Sequence, residues 1–263
     1  MSSVDPRRSL ELLRPEIEAL NRDVAALTPE QWQGDSNCAG WQLADLVAHV
    51  VRNGWSFLAF VERALADDPT PPFGPAVQHI QDEIKAGGPR AAAERQQRET
   101  EEFVSLVQGL PESDLQKEGR HPQGARPIAW ACTQRLAEAA FHHWDLRHSL
   151  GQDGPLDAQL AAHLLPFMLD PGGANIMTKS AEGATPDTFR LTSTNDGSAW
   201  RISAGGDGRT MEADASGPAS LDVAAEAGWL ALALYGRTPL AGPYFRVSGP
   251  PEAVERFRAA FGC

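Results

Sequence analysis

The sequence predicts an α+β protein in which an antiparallel four-helix bundle precedes a small α/β domain. Four long segments with helical apolar spacing, joined by short polar connections, fill the first part of the chain, as in antiparallel bundles. A segment rich in glycine and small polar residues follows at 170–187, and strand-like alternation begins after it. We therefore place the bundle at 1–170 and the second domain at 171–263, with a linker at about 170–187.

The bundle helices are predicted from their apolar stripes. In the first, apolar residues alternate steps of three and four at Leu10, Leu13, Ile17, Leu20, Val24 and Leu27. Pro15 interrupts that run, so we expect the regular helix to begin near it. The second helix follows Trp41, and the third begins near Val77, breaks at the "GGP" of 87–89 and resumes. The fourth covers 127–151, with proline at its start and glycine at its end, where these residues terminate helices.

The rest of the chain combines helix and strand signals. "DAQLAAHLLPFML" predicts one more helix. "TFRLTST" and "AWRISAGG" then alternate as strands do around the hairpin signal "NDG", and "RTMEADA" predicts a third strand. We expect the strongly apolar "SLDVAAEAGWLALALYG" to be a helix, "YFRVSG" a strand and "PPEAVERFRAAFG" the final helix.

Charge and composition exclude several classes of protein. The chain has 263 residues, with 23 Lys and Arg against 35 Asp and Glu, and a formal charge of −12. We therefore expect no nucleic-acid partner and no anionic membrane surface, since both require a basic footprint. No apolar run has the length of a membrane span, and the N-terminus lacks the apolar core of a signal peptide, so we expect a cytoplasmic protein. We also expect a monomer. Cys38, Cys132 and Cys263 lie far apart, which indicates reduced thiols.

The segment "EAAFHHWDLRH" at 138–148 concentrates residues that could do chemistry. Glu138 and His142 are one helical turn apart and project together, and Asp145 falls on the same stripe. His143 and His148 lie off that stripe. Carboxylate and imidazole are both good zinc ligands, so the pair forms half of a metal site.

The best donor elsewhere is His49 in "DLVAHVV", on the flank of the stripe that should face the bundle. Together, His49, Glu138 and His142 would leave a fourth position for water or substrate, as in catalytic zinc sites. Asp45 and Asp145 are candidates to orient the ligand imidazoles. Spacing alone does not decide between this metal site, a solvated helix face and a hydrogen-bonded core histidine.

The remaining candidates for chemistry are interpreted as structural. His79, His121 and His163 lie in regions without a convergent partner, which indicates surface or packing residues. No serine lies in a GxSxG motif, and no cysteine has a base nearby in the sequence. We therefore place all three cysteines outside the candidate site.

Two segments together resemble a known family. "CAGWQLADLVAHV" and, later in the chain, "RLAEAAFHHWDL" are similar to motifs of the mycothiol-dependent maleylpyruvate isomerase family, whose N-terminal domain is a DinB-like four-helix bundle. The resemblance implies a divalent metal, usually zinc, bound by His49, Glu138 and His142. The end of the chain, "LYGRTPLAGPYFRVSGPPEAVERFRAAF", resembles the family's small α/β C-terminal domain. There, Arg237 matches an arginine that matters in the isomerase.

The resemblance also implies a chemistry. An open metal position would hold the sulfur of a low-molecular-weight thiol, expected to be mycothiol, as a thiolate that attacks a small electrophilic substrate. The outcome would be isomerisation if the thiol leaves again and S-transfer if it stays. We expect Asp145 and Arg237 to assist catalysis, with Arg237 anchoring a carboxylate of the cofactor or substrate.

Two alternatives stay open. The scaffold could carry a thiol-independent metalloenzyme of secondary metabolism, which would catalyse a cyclisation or hydrolysis by Lewis-acid chemistry. It could also be a non-catalytic protein that binds a small molecule, with a metal only tying helices together. The segment "ANIMTKSAEGATPD" departs from the family pattern and could reshape the mouth of the site, so the sequence leaves the substrate open.

Overall fold

A computed structural model of the chain describes residues 4–73, 77–122, 124–170, 173, 187–205, 208–212, 215–240 and 242–261. The chain forms two compact units, one from Asp5 to Asp153 and one from Gly154 to Cys263 together with Met1–Val4. Helices dominate the first unit and strands enter the second, so the α+β prediction is confirmed. Most of the predicted linker at 170–187 lies outside the described residues. Within the described parts, no helix combines the length and apolar character needed to cross a membrane.

The first unit is the predicted four-helix bundle. Its elements, in the described residues, are α1 (Pro6–Ala25), α2 (Pro29–Trp32), α3 (Leu43–Leu65), α4 (Gln78–Gln108), α5 (Glu112–Leu115), β1 (Glu118–His121), β2 (Gly124–Pro127) and α6 (Ile128–Ser149). The long helices α1 and α3 each pack against both α4 and α6. The apolar stripe of α1 is buried from Leu10 to Val24, and burial of such stripes is what drives a bundle to form.

The start of α1 differs from the prediction. The helix begins at Pro6 rather than near Pro15, because the Asp5 side chain accepts a hydrogen bond from the Arg7 backbone N–H and caps the first turn. Pro15 lies within the helix. The predicted break in the third helix is confirmed, since Gly88 of α4 has a φ of 77° and a ψ of 178°, a conformation outside the helical range.

A hairpin, β1–β2, stands where the sequence indicated only a polar turn. The two strands pair antiparallel, with His121 opposite Gly124, whose φ of +113° suits glycine. Gly119 of β1 lies against the Phe60 ring of α3 so closely that a Cβ there would be 2.6 Å from a ring carbon. The hairpin is therefore seated on the bundle, beside α3 and directly before α6.

The second unit contains a mixed sheet and three helices among its described residues. Its elements are α7 (Ala158–Leu169), β3 (Asp187–Ser193), β4 (Ala199–Gly205), β5 (Gly208–Glu212), β6 (Leu221–Ala225), α8 (Ala227–Leu234), β7 (Arg246–Ser248) and α9 (Pro251–Phe261). The strand order is β5-β4-β3-β6-β7. Strands β3 and β6 run parallel, and the other neighbouring pairs are antiparallel. The predicted hairpin around "NDG" is the β3–β4 pair.

One helix prediction in this unit is wrong in its first half. The segment "SLDVAAEAGWLALALYG" begins as strand β6, and only its second half is the helix α8. Leu221, Val223 and Ala225 are buried, whereas the residues between them are partly exposed. That alternation suits a strand, and β6 hydrogen-bonds to β3 on one side and β7 on the other.

The division between the units also falls before the predicted domain boundary at 170. Helix α7 packs against α8 and belongs to the second unit. Gly228 of α8 approaches the backbone of Leu156 so closely that a Cβ would lie 2.3 Å from the Leu156 carbonyl oxygen. This contact ties the segment before α7 to the second unit, a long-range packing that apolar periodicity does not report.

Candidate metal centre

Helices α3 and α6 bring the three candidate ligands together. The Glu138 Oε2 atom lies 3.5 Å from His49 Nε2 and 3.5 Å from His142 Nε2. One ligand atom from each of the three residues lies within 4.8 Å of the others. Their side chains are 21%, 14% and 9% exposed for His49, Glu138 and His142. The three donors therefore converge at one partly open place on the bundle, where they could hold a metal ion.

Asp145 holds the His142 ring from the side away from the other ligands. Its carboxylate is completely buried, and Oδ2 lies 3.0 Å from His142 Nδ1. Asn37 Nδ2 donates to the other carboxylate oxygen at 3.3 Å. A carboxylate at Nδ1 places a proton there and leaves Nε2 as the ligating nitrogen. This contact supports the orienting role expected of Asp145, which stays a prediction.

Asp45 does not take the corresponding role at His49. Its Oδ2 accepts the backbone N–H of Gln42 at the start of α3, and its Oδ1 pairs with Lys85 of α4 at 3.0 Å. The expectation that Asp45 orients a ligand imidazole is therefore wrong, because the first turn of α3 uses the carboxylate as a cap. Arg52 is instead the neighbour of His49, with its Nη2 3.2 Å from His49 Nδ1.

Two amides fix Glu138. Asn53 Nδ2 donates to Oε2 at 2.9 Å, and Gln134 Nε2, one turn earlier on α6, donates to Oε1 at 3.0 Å. The Asn53 amide also lies 3.1 Å from His49 Nε2, so it stands between two candidate ligands. Neither amide was singled out from the sequence, although Asn53 follows His49 by one helical turn and that spacing was a usable signal.

Hydrogen bonds and charges in the site shift the pKa values of Glu138 and His142 in the direction opposite to the effect of burial. Burial raises the pKa of the Glu138 carboxyl, but hydrogen bonds from His142 and His49 and their charges hold that pKa well below its ordinary value. Burial lowers the pKa of His142, yet contacts with Asp145, Cys38 and Glu138 raise it well above its ordinary value. For His49, burial outweighs the hydrogen bond with Glu138 and the pKa falls. A metal ion binding at His142 Nε2 must therefore displace a proton, and metal affinity should fall as the pH falls.

Cys38 lies at the site, contrary to the expectation that all three cysteines stand outside it. Its Sγ is 3.5 Å from Asp145 Oδ2. Cys38, His142 and Asp145 form a second group of potential ligand atoms within 4.8 Å of one another. This group uses the opposite side of the His142 ring from the group with His49 and Glu138. No local spacing could have found it, because Cys38 lies in the loop before α3 and far from α6 in sequence.

Trp41 forms an aromatic wall beside the ligands. Its ring centroid lies 5.0 Å from that of His49 and 6.5 Å from that of His142. The two histidine rings are 4.9 Å apart and nearly perpendicular. An indole packed on both imidazoles restricts their rotation and shields one side of the site from water.

His143 and His148 point elsewhere. His143 is buried between two acids of α1, with Nδ1 2.7 Å from Glu16 and Nε2 3.0 Å from Asp23. His148 lies at the end of α6, 2.6 Å from Asp153. The expectation that His143 is not a ligand stays a prediction, which this placement on the α1 side of α6 supports.

A His143→Gln variant should keep its metal and lose a pH-dependent part of its stability. Burial lowers the pKa of His143, but the two acids raise it above its ordinary value of 6.5. A histidine whose pKa is raised in the folded state contributes its full stabilisation of the fold below about pH 6.5. That contribution is lost as the pH rises through the folded-state pKa. We expect the variant to be destabilised by about 1–2 kcal/mol near pH 6 and by less near pH 9. Urea unfolding of both proteins across this range measures the difference, and a constant difference would contradict the assignment.

Arg237 belongs to the second unit. It follows α8, its backbone N–H donates to the Leu232 carbonyl, and its Cζ lies 5.1 Å from the Tyr235 ring centroid. The side chain is neither buried nor fully exposed. Its role at the cofactor stays a proposal.

A comparison of sequences identifies the family. The profile described as the mycothiol maleylpyruvate isomerase N-terminal domain matches residues 13–147, which are 135 of the 263 residues. The chain belongs to the mycothiol maleylpyruvate isomerase family. The resemblance stated from the two helical motifs is thereby confirmed, and the matched range includes α3 and α6 with the three candidate ligands. Among curated proteins, none matches the sequence.

Solved structures share the fold of this family member. The crystal structure of the mycothiol-dependent maleylpyruvate isomerase is 16% identical with a TM-score of 0.65, over 92% of this chain and 92% of that chain. A mutant of that isomerase is 16% identical with a TM-score of 0.61, over 89% and 90%. YfiT from Bacillus subtilis, described as a probable metal-dependent hydrolase with an unusual four-helix bundle topology, is 14% identical with a TM-score of 0.50, over 56% and 89%. At these identities the likeness concerns the fold, and it agrees with the predicted bundle and second domain.

Proposed function

We propose that this family member is a metal-dependent enzyme that uses a low-molecular-weight thiol, preferably mycothiol, to attack a small electrophile, as an isomerase or an S-transferase. The observation that carries the proposal is the convergence of His49, Glu138 and His142 on one place in the bundle. Membership of the mycothiol maleylpyruvate isomerase family supports the thiol. We also propose a cytoplasmic monomer whose partners are small molecules only.

The donor set fits a divalent cation, and zinc above all. Two imidazoles and a carboxylate are common ligands of catalytic zinc and leave a fourth position free. To seat the ion, the Asn53 amide must withdraw from His49 Nε2 and Arg52 must withdraw from His49 Nδ1, since a histidine that ligates through Nε2 carries its proton on Nδ1. When bound, the ion would supply the positive charge that keeps a thiol deprotonated at neutral pH.

The chain's own residues supply the rest of the site. Asp145 fixes the His142 ring and its proton, and Gln134 holds the Glu138 carboxylate from the side away from His49. Trp41 shields the imidazoles from water on one side. A site that is held in place before substrate arrives loses less free energy to reorganisation during the reaction.

Cobalt spectroscopy tests the thiol. We expect mycothiol to add a sulfur-to-cobalt band in the near ultraviolet, and glutathione to do so only at higher concentration. Because Cys38 could produce such a band by itself, the titration is done on a Cys38→Ser variant, which should show no band before thiol is added. Absence of any band with mycothiol, together with no activity on activated alkenes, would overturn the thiol proposal in favour of the thiol-independent metalloenzyme.

Arg237→Ala should weaken thiol binding without loss of metal. We propose that the guanidinium binds a carboxylate of the cofactor, and a charge-assisted hydrogen bond of this kind accounts for about tenfold or more in affinity. The mycothiol concentration that gives half of the cobalt band should rise by about that factor. Arg258→Ala, which removes another arginine of the same unit, is the control and should leave it unchanged. Equal half-saturation in the wild type and Arg237→Ala would remove this residue from the site.

A further inference from the structure

A second set of donor atoms surrounds the side of the His142 ring that faces away from the candidate metal centre. His142 Nδ1 lies 3.0 Å from Asp145 Oδ2, and Cys38 Sγ lies 3.5 Å from the same carboxylate oxygen. One ligand atom from each of these residues lies within 4.8 Å of the other two. We call this group the Cys38 site. Only His142 belongs to both groups, and the proposed function gives the thiol no task.

The distances in the Cys38 site suit one ion bound by all three residues. In a tetrahedral site, ligand atoms at about 2.0–2.3 Å from the metal lie about 3.3–3.8 Å from one another. The measured separations of 3.0 and 3.5 Å depart from that range by at most about 0.3 Å. Small side-chain movements are therefore enough to admit an ion.

The loop that carries Cys38 is anchored to α6. The Asn37 backbone N–H donates to Ser149 Oγ at 2.7 Å, and the Asn37 side-chain amide donates to Asp145 Oδ1 at 3.3 Å. Asp145 itself is completely buried. The Trp41 backbone N–H donates to the Cys38 carbonyl oxygen at 3.0 Å, which closes the loop on itself. Since the donors are already held together, ordering them around an ion costs little free energy.

The Cys38 site has softer donors and more negative charge than the candidate metal centre. It offers a thiolate and a carboxylate beside one imidazole, whereas Glu138 is the one anionic donor among the three ligands of the other group. Thiolate is a soft ligand and favours soft cations, while imidazole and carboxylate suit borderline ones such as zinc. Cadmium is softer than zinc and gains more from a sulfur ligand. The donor set of the Cys38 site therefore favours thiophilic cations.

Cys38 is also the better placed of the two cysteines that the structure describes. It is partly exposed, whereas Cys132 is fully buried and burial raises the pKa of the Cys132 thiol to about 12. A buried thiol with so high a pKa neither loses its proton readily nor meets a hydrated cation. Of these two thiols, Cys38 is the one available to a metal ion.

His142 couples the Cys38 site to the candidate metal centre. An ion on Nε2 requires the ring proton on Nδ1, where the Asp145 carboxylate faces it. An ion on Nδ1 requires the opposite tautomer, because a neutral imidazole has one N–H and one free nitrogen lone pair. The two ions therefore exclude each other. When the second replaces the first, the Cys38 thiol releases its proton to solvent and the ring proton ends on Nε2.

We propose that Cys38, Asp145 and Nδ1 of His142 bind a thiophilic divalent cation, and that this ion displaces the one in the candidate metal centre. Zinc stays on the Nε2 side, since it gains less from sulfur, and cadmium takes the Cys38 site. A thiophilic metal thereby empties the candidate metal centre from behind His142, without occupying its open coordination position. The inference goes beyond the proposed function, because it involves neither a low-molecular-weight thiol nor turnover.

Cadmium titration of the purified protein tests the Cys38 site. The ultraviolet spectrum is followed as cadmium chloride is added, in the absence of any other thiol. We expect a sulfur-to-cadmium charge-transfer band that saturates at about one ion per chain. Cys38→Ser should lose this band. Cys132→Ser and Cys263→Ser, which remove the other two thiols of the chain, should keep it.

Elemental analysis of desalted samples from the same titration, with protein first loaded with zinc, tests the displacement. In the wild type, the zinc content should fall as the sulfur band grows. In Cys38→Ser, loss of zinc should need at least about tenfold more cadmium. Absence of a Cys38-dependent band, or a full band with zinc still bound, would overturn the proposal. A Cys38-dependent band together with loss of zinc would uphold it even if mycothiol gave no band with cobalt and the proposed function failed.

Discussion

A variant with both His49 and His142 replaced by alanine is expected to contain almost no metal, whereas we expect about one divalent ion per chain in the wild-type protein. The two imidazoles supply two of the three ligands, and a single carboxylate does not hold zinc against buffer. Elemental analysis after removal of any affinity tag measures the metal content. The expected effect is large, because activity should fall with the metal.

His143→Gln is the matched control for this experiment. It removes an adjacent histidine of the same helix, also buried, that contacts Glu16 and Asp23 and no candidate ligand. It should retain about one equivalent of metal. Full metal content in the double variant, or loss of metal in His143→Gln, would show that the ion is held elsewhere.

Asp145→Asn is expected to lower metal affinity by about 10- to 100-fold. The carboxylate is placed to accept a hydrogen bond from His142 Nδ1–H, and it is completely buried, so no water can replace it. An amide in its place can donate to Nδ1, which favours the tautomer with the proton on Nε2, where the metal should bind. A competition titration with a chromophoric chelator measures the change.

Asp153→Asn provides the comparison for Asp145→Asn. Asp153 contacts His148 through the same kind of His–Asp hydrogen bond, at 2.6 Å, but on the surface and away from the candidate ligands. Its metal affinity should equal that of the wild type. If Asp145→Asn also binds metal as the wild type does, Asp145 has no orienting role at His142.

The convergence of the three candidate ligands could be predicted because helix geometry is local. Glu138 and His142 share a face whenever α6 is helical, and the resemblance to the family motif links them to His49. The bundle was predictable for the same reason, since each long helix carries its own apolar stripe. The break at Gly88 was also visible, because glycine followed by proline interrupts a helix whatever surrounds it.

The surroundings of the triad depend on contacts between distant segments. Cys38, in the loop before α3, contacts Asp145 of α6, and Arg52 faces His49 where a carboxylate from Asp45 was expected. Asp45 illustrates the difficulty, because one carboxylate can cap its own helix or orient a histidine, and here it caps α3 and also pairs with Lys85 of another helix. Sequence spacing lists the possible partners of such a residue without ranking them.

The strand errors have a similar origin. Strand β6 is as apolar as the helix that follows it, because both are buried, and a short apolar run does not distinguish strand from helix. The β1–β2 hairpin contains few of the apolar residues that announce a strand, and it is fixed instead by the fit of Gly119 against Phe60. Both elements are specified by packing partners that lie elsewhere in the chain.

Anomalous diffraction at the zinc edge, from crystals of the purified protein, tests the central claim most directly. The account predicts one strong peak within bonding distance of His49 Nε2, a Glu138 carboxylate oxygen and His142 Nε2, with the Asn53 amide turned away. A peak on the opposite side of the ring, between His142 Nδ1, Cys38 and Asp145, or no peak near any of these residues, would contradict it.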